Sequence, residues 1–178
     1  THTATPEIYT ETKSSAASDV YKRQDLVIDS THTNIHQLRR QVWNFVDRRS
    51  SDMTIVFQSF AYKQGVPQDA DFIFDARALP NPHWEDKLRK LTGLDEPVRL
   101  WLQGDEQVMK MSRDIENFME TWLKSFQDAQ RSYVTICIGC TGGKHRSVYL
   151  AETLAKSLSR DHENVLVHHR EKPSWNQS

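Results

Sequence analysis

The sequence predicts one α/β domain, a layered, mostly parallel sheet with helices on both faces. Three observations predict it. Short runs of β-formers such as "MTIVFQSF" (53–60) and "YVTICIG" (133–139) read as buried strands. They alternate with segments whose apolar residues recur every three or four positions, and that alternation leads to parallel strands joined by right-handed crossovers. Between the strand at 133–139 and the helical pattern after it lies "GCTGGKHRS" (139–147), a glycine turn that joins strand to helix directly.

Each element follows in order. Residues 1–24 are rich in Thr, Ser and Ala and have no apolar period. "SAASDVYKRQ" resembles adapter-derived sequence, so this leader is expected to be foreign to the fold or disordered. From Asp25, "DLVID" reads as a short strand. Thr33 can cap a helix whose apolar positions are Ile35, Leu38, Val42, Phe45 and Val46. After the strand at 53–60, Gly and Pro punctuate a loop, "AYKQGVPQDAD". "FIFDAR" (72–77) is the next strand. "ALPNPHWEDKLRKLTGLDEP" reads as a long loop with at most one helical turn, the kind of loop that carries function when it occurs in a compact domain. Val108, Met111, Ile115, Phe118, Met119, Trp122 and Phe126 mark a long amphipathic helix over about 106–127. The strand at 133–139, a helix over 147–159 and a last strand "NVLVHH" complete the domain. There is no internal repeat.

Composition bounds the function. The chain has 178 residues, a size that can bury a real core. It is polar, with 37% hydrophobic residues and a mean hydropathy of −0.70, yet 10% aromatics argue against global disorder. The net charge of −1 advertises no overall basic field, so any nucleic-acid contact must come from a local patch. Two cysteines, Cys137 and Cys140, three positions apart, do not make a secreted disulfide scaffold. No run is apolar enough to cross a membrane. A cytoplasmic location and no membrane partner are expected.

The turn at 139–147 has the chemistry of an anion site. A helix that begins near Ser147 offers unpaired N–H groups and a partial positive charge. Gly142 and Gly143 let the backbone approach a ligand closely. Lys144, His145 and Arg146 add cationic donors, and Thr141 and Ser147 add hydroxyls. In a parallel sheet this turn sits at the carboxyl edge of the strands, where ligands bind. The alternative is a tight structural turn with solvated basic residues. A Walker A loop is excluded, because His145 stands where Ser or Thr is needed and no glycine lies at the required distance before. A metal or redox site at Cys137 and Cys140 lacks a second cysteine pair, and Cys137 falls inside a strand, where it reads as core. Cys140 to Ser147 also spells C-x5-R-S, the pattern of a phosphatase loop with Cys140 as thiolate nucleophile and Arg146 as phosphoryl clamp. Gly139 in place of the preceding His, and the lack of an identifiable general-acid Asp, count against it. Asp71 and Asp75, at the two ends of "FIFD", read as structural ion pairs ahead of the alternatives, acceptors for sugar hydroxyls or groups that orient Arg77 and Lys63. No catalytic residue and no metal ligand is assigned.

Two long segments, "SFAYKQGVPQDADFIFDARALPNPHWEDKLRKLTGLDEPV" and "YVTICIGCTGGKHRSVYLAE", carry a resemblance. The chain from about Asp25 to Arg170 resembles the carboxy-terminal domain of the RapZ family of RNase adapter proteins. The resemblance implies residues 25–50 as the join from a preceding kinase-like domain, 51–170 as the ligand- and RNA-binding domain, and 171–178 as a tail. It implies that this chain is a fragment and that the family's ATP or GTP site belongs to the missing half, so no cofactor is expected here. It implies a sensor of glucosamine-6-phosphate or a similar amino-sugar phosphate. Such a sensor binds small regulatory RNA, presents it to an endoribonuclease, and forms a homo-oligomer when full length. The ligand-binding positions carried over are Lys63, His83, Thr141, Gly142, His145 and Arg146, with Arg146 offering its planar fork to the phosphate oxygens. An RNA surface would use Lys63, Lys144, His145, Arg146, His168, His169 and Arg170 if these converge on one face.

The sequence departs from the family in three places. Ala61 stands where relatives have Gly, so a positive-φ backbone there would be strained. Glu163 occupies a site that can be basic. The tail "HHREKPSWNQS" holds only Arg170 and Lys172 where some relatives have a basic cluster. Sugar-phosphate sensing therefore stands ahead of specific RNA capture.

Overall fold

The computed structural model describes residues 53–177. The predicted leader at 1–24, the strand at 25–29 and the helix capped by Thr33 lie outside them.

Four strands, β1 (Thr54–Ala61), β2 (Phe72–Asp75), β3 (Tyr133–Cys140) and β4 (Val165–His169), form one sheet in the order β2-β3-β1-β4. Every pairing is parallel. Three helices accompany them, α1 (Glu96–Gln103), α2 (Glu106–Asp128) and α3 (Arg146–Leu158). The α/β class and the parallel sheet are as the sequence predicts, but the described helices pack against one another on one face rather than on both.

The register sorts side chains by face. Ile55, Phe57 and Ser59 lie beside Val134, Ile136 and Ile138, with Phe72 and Phe74 on one flank and Val165 and Val167 on the other. Successive residues of a strand point to opposite faces, so these share one face. The β2-to-β3 and β3-to-β4 connections step across the sheet in the same direction. Right-handed crossovers therefore place α2 and α3 together over that face. There Met119 and Leu123 of α2 and Leu150 and Leu154 of α3 join Ile55, Phe57, Ile136 and Ile138 in a single core. Each of these fully buried side chains contributes roughly 2 kcal/mol by leaving water. The other face is more mixed, with Thr54, Gln58, Thr135 and Cys137 buried and Ile73 and Leu166 exposed. Cys137 and Cys140 are both free thiols and point to opposite faces of β3, which rules out a joint C-x-x-C site.

Local chemistry sets the ends of the elements. The Asp105 carboxylate accepts the Gln107 and Val108 N–H groups and starts α2. The apolar stripe read from the sequence is wider than the buried one. Val108, Ile115, Met119 and Leu123 are buried, whereas Phe118 and Trp122 are part-exposed, with the Phe118 ring edge-on to Phe72 and Phe74. The strand expected at 72–77 ends at Asp75. That carboxylate accepts the Arg77 N–H at 2.9 Å and grips the Arg77 guanidinium, turning the chain into a 3-10 turn at Ala76–Ala78. Asp71 holds the other end of β2, accepting the Thr135 N–H and Arg131 Nη2, each at 2.8 Å. Both aspartates are thus structural.

The long loop expected after β2 is more ordered than the sequence implied. It contains 3-10 turns at Ala76–Ala78 and Pro82–Trp84, and it ends in α1, which the sequence reading missed. Pro97 falls at the end of the loop the sequence predicts, but it sits in the first turn of α1, where no N–H donor is needed. Ala61 also departs from expectation. It is extended, at φ −99° and ψ 124°, so its replacement of Gly strains nothing.

Candidate functional site

The strands are parallel, so the segments that follow β1, β2 and β3 all emerge at one edge of the sheet. Three of them, Tyr62–Gln64, the 76–84 turns and 141–145, enclose a cavity of about 570 Å³. All six ligand positions expected from the resemblance line it: Lys63, His83, Thr141, Gly142, His145 and Arg146. Lys144 and Cys140 line it too, as do Asn81, Trp84, Arg89 and Lys90, which the sequence reading did not assign. Lys63, Arg89, Lys90, Lys144 and Arg146 are cationic, and no Asp or Glu lines the wall. The whole chain has 24 acidic and 23 basic residues, so this is a local concentration of positive charge.

The floor is the turn between β3 and α3. Cys140 is the last residue of β3 and is buried. Its Sγ accepts the Gly143 N–H at 3.2 Å and lies 3.1 Å from Ser147 Oγ. Gly143 has φ +64°, a left-handed conformation that a Cβ would strain, and a Cβ there would also lie 2.8 Å from Glu171 Oε2 and 2.9 Å from the Ala61 nitrogen. The N-cap residue of α3, His145, makes no side-chain hydrogen bond to the first turn of the helix.

Two buried side chains at this turn carry polar atoms with no hydrogen-bond partner among the described residues. His145 is 6% exposed with no partner for Nε2, and Arg146 is 4% exposed with no partner for Nε. The Arg146 fork is only partly available, contrary to the expectation that it serves a ligand whole. Nη1 donates to the Arg77 and Leu79 carbonyls at 3.0 and 2.9 Å, tying the 76–79 turn to α3. Nη2 lies 3.4 Å from Thr141 Oγ1, and Nε remains unpaired. A buried guanidinium with free donors beside helix N–H groups is a receptor for oxyanions. His83 is exposed, edge-on to Trp84 with ring centroids 5.5 Å apart, so it both lines the cavity and packs locally.

Burial pushes the His145 imidazole below its ordinary 6.5, with Lys144 and His83 acting in the same direction and the Leu88 and Leu91 carbonyls opposing. Burial lowers His169 as well, against the pull of Glu152. Both are neutral at pH 7. A depressed folded-state pKa means that the unfolded chain takes up protons first as pH falls, so stability is full above 6.5 and declines below it. Urea midpoints should therefore drop from pH 7 to pH 5, and His145→Gln together with His169→Gln should flatten that slope. A slope unchanged in the double variant would contradict this.

The RNA positions expected near the end of the chain do not join the cavity wall. His168 is exposed on β4. His169, one residue on, faces the helices. It is buried, with Nδ1 2.8 Å from Ser59 Oγ, Nε2 3.0 Å from Glu152 Oε1 and its ring against Trp175. Strand alternation turns it away from the surface on which His168 lies. Arg170 braces the segment that carries Lys63, donating through Nη2 to the Ala61 and Gly65 carbonyls at 3.0 and 2.8 Å, and pairs with Glu171. Among the described residues no group of three or more His, Cys, Asp or Glu side chains is placed to hold a metal. No described helix is long and apolar enough to cross a membrane.

A "Nucleotide-binding protein" of Alkalilimnicola ehrlichii is 51% identical over 149 residues, which is 84% of this chain and 52% of that protein. One from Pseudoalteromonas atlantica is 48% identical over 162 residues, 90% of this chain and 58% of that protein. Another, from Nitrosococcus oceani, is 50% identical over 153 residues, 85% and 54% of the two chains. This chain thus spans little more than half the length of these curated relatives. The family model described as "RapZ C-terminal domain" matches residues 53–173, the span that holds the whole sheet and every wall of the cavity, and the chain belongs to that family.

Proposed function

We propose that this domain is a non-enzymatic sensor of an amino-sugar phosphate such as glucosamine-6-phosphate, and an RNA-binding adapter that presents small regulatory RNA to an endoribonuclease. One observation carries the reading: a cavity at the carboxyl edge of a parallel sheet with five Lys or Arg side chains, two histidines and no carboxylate in its wall. Such a wall favours a phosphorylated ligand, and membership of the RapZ C-terminal family supports an adapter role for it. The phosphate would take the free donors of Arg146 and the N–H groups of the α3 turn. Lys63 and His83 on the facing segments would meet the sugar. The relatives are named nucleotide-binding proteins, and in this reading ATP or GTP belongs to the part of such a protein that this chain does not span. A cytoplasmic setting and a homo-oligomeric full-length protein complete the proposal.

Calorimetric titration with glucosamine-6-phosphate tests it. Binding is expected, and Lys63→Ala should weaken it by roughly tenfold, the cost of one lost charge-assisted contact. No heat of binding would overturn the sensor reading. The runner-up is a Cys-dependent phosphatase, favoured by Gly143 N–H and Ser147 Oγ both reaching Cys140 Sγ. Steady phosphate release from an aryl phosphate, abolished by Cys140→Ser, would establish that reading instead.

A further inference from the structure

Trp84 is 75% exposed, more than any other large apolar side chain among the described residues. It is not a loose side chain on a mobile tip. It closes the 3-10 turn Pro82–Trp84, its N–H donates to the Asn81 carbonyl, and the Asn81 side chain receives the His83 N–H. Arg89 Nε donates to the His83 carbonyl at 3.0 Å, while its guanidinium pairs with Asp86. His83 stands edge-on against the indole and sets its tilt. The protein thus holds a large flat apolar surface in water at the wall of a cavity ringed by cations. Keeping that area hydrated forgoes the stabilisation its burial would bring.

A positively charged groove beside an exposed aromatic ring is the arrangement by which proteins hold single-stranded nucleic acid. Cations follow the phosphates, and each base has a face that can stack. We propose that Trp84 is a stacking platform for an unpaired nucleobase of a single-stranded RNA whose phosphate occupies the 141–146 cradle. The inference rests on the reading of that cradle as a phosphate site and deepens it, because it names the second group that the cavity recognises. A protein partner is the less favoured occupant. The wall has no carboxylate to meet a basic peptide, and its cations would have to be satisfied by an acidic one while the ring took an apolar side chain.

Fluorescence anisotropy with a short, unstructured, labelled RNA tests it, alongside the same strand carrying abasic sites. Trp84→Ala should weaken the intact strand by about tenfold or more, and Trp84→Phe should restore most of the affinity, since a phenyl ring still stacks. The dependence on salt should be as in the unmodified chain, because no phosphate contact is lost. The abasic strand should bind equally weakly to all three proteins. Glucosamine-6-phosphate affinity should fall by less than RNA affinity does. Equal RNA affinity for Trp84→Ala and the unmodified chain would overturn the platform. So would a loss of glucosamine-6-phosphate affinity as large as the loss for RNA, which would mean that the ring packs on the sugar. If the unmodified chain binds glucosamine-6-phosphate but no RNA, the platform fails while the phosphate cradle stands.

Discussion

Replacing Arg146 by Ala should destabilise the domain by about 3 kcal/mol and remove measurable glucosamine-6-phosphate binding. The stability loss follows from the two carbonyls that Arg146 Nη1 serves, Arg77 O and Leu79 O. A hydrogen bond from a charged donor is worth about 1.5–3 kcal/mol, and leaving its buried acceptor unsatisfied adds a desolvation cost. The side chain is almost wholly buried, so water does not replace the lost donors. The binding loss follows from the proposed reading, in which Nη2, 3.4 Å from Thr141 Oγ1, and the unpaired Nε serve the phosphate. Arg146→Lys separates the two effects. It keeps a positive charge but cannot span both carbonyls and the ligand. It should recover part of the binding and little of the stability. Urea unfolding and calorimetry on the same samples provide the check. An alanine variant with an unchanged midpoint would show that the turn at 76–79 is held without Arg146.

Gly93→Ala should lower the melting temperature by roughly 10 °C, the size expected for a loss of about 3 kcal/mol from overpacking in a domain of this length. The Gly93 N–H donates to the Lys144 carbonyl at 2.8 Å, which brings the 92–94 segment against the start of α3. A Cβ at Gly93 would lie 2.3 Å from the His145 oxygen and 2.6 Å from the Tyr149 nitrogen. Both are backbone atoms at the base of the cradle, and neither can swing aside as a side chain can. The segment would have to lift away, carrying with it the wall that includes Arg89 and Lys90. Gly142→Ala is the control, since a Cβ there meets nothing within 4 Å and its stability should stay within about 0.5 kcal/mol of the parent. A Gly93 variant as stable as the Gly142 one would refute the close approach.

Much of the fold was legible because its signals are local. β1, β3, α2 and α3 each announce themselves through an unbroken period, and the structure places their boundaries within a residue or so of the sequence reading. The chemistry of the 139–147 turn was legible for the same reason, since the cradle is one contiguous stretch between a strand and a helix. α1 was missed because a proline in a first helical turn and a proline in a loop look alike until the neighbouring hydrogen bonds are seen. His169 was misplaced on the surface although strand alternation separates it from His168. Which of the two faces inward depends on the pairing of Ser59 with His169, and that register belongs to the sheet.

The amino-acid sequence by itself determined the α/β class, the strand-to-helix anion turn and the family resemblance, because periodicity, turn chemistry and motif spelling are properties of adjacent residues. Only the tertiary structure decided which cations meet. Parallel strands deliver the segments after β1, β2 and β3 to one edge, so that Lys63, Trp84, Arg89 and Arg146, far apart in the chain, line the same cavity. It also decided how Arg146 is shared between the protein and a ligand. That division depends on where the 76–79 turn lies in space, and side-chain identity alone carries no information about the distance between them.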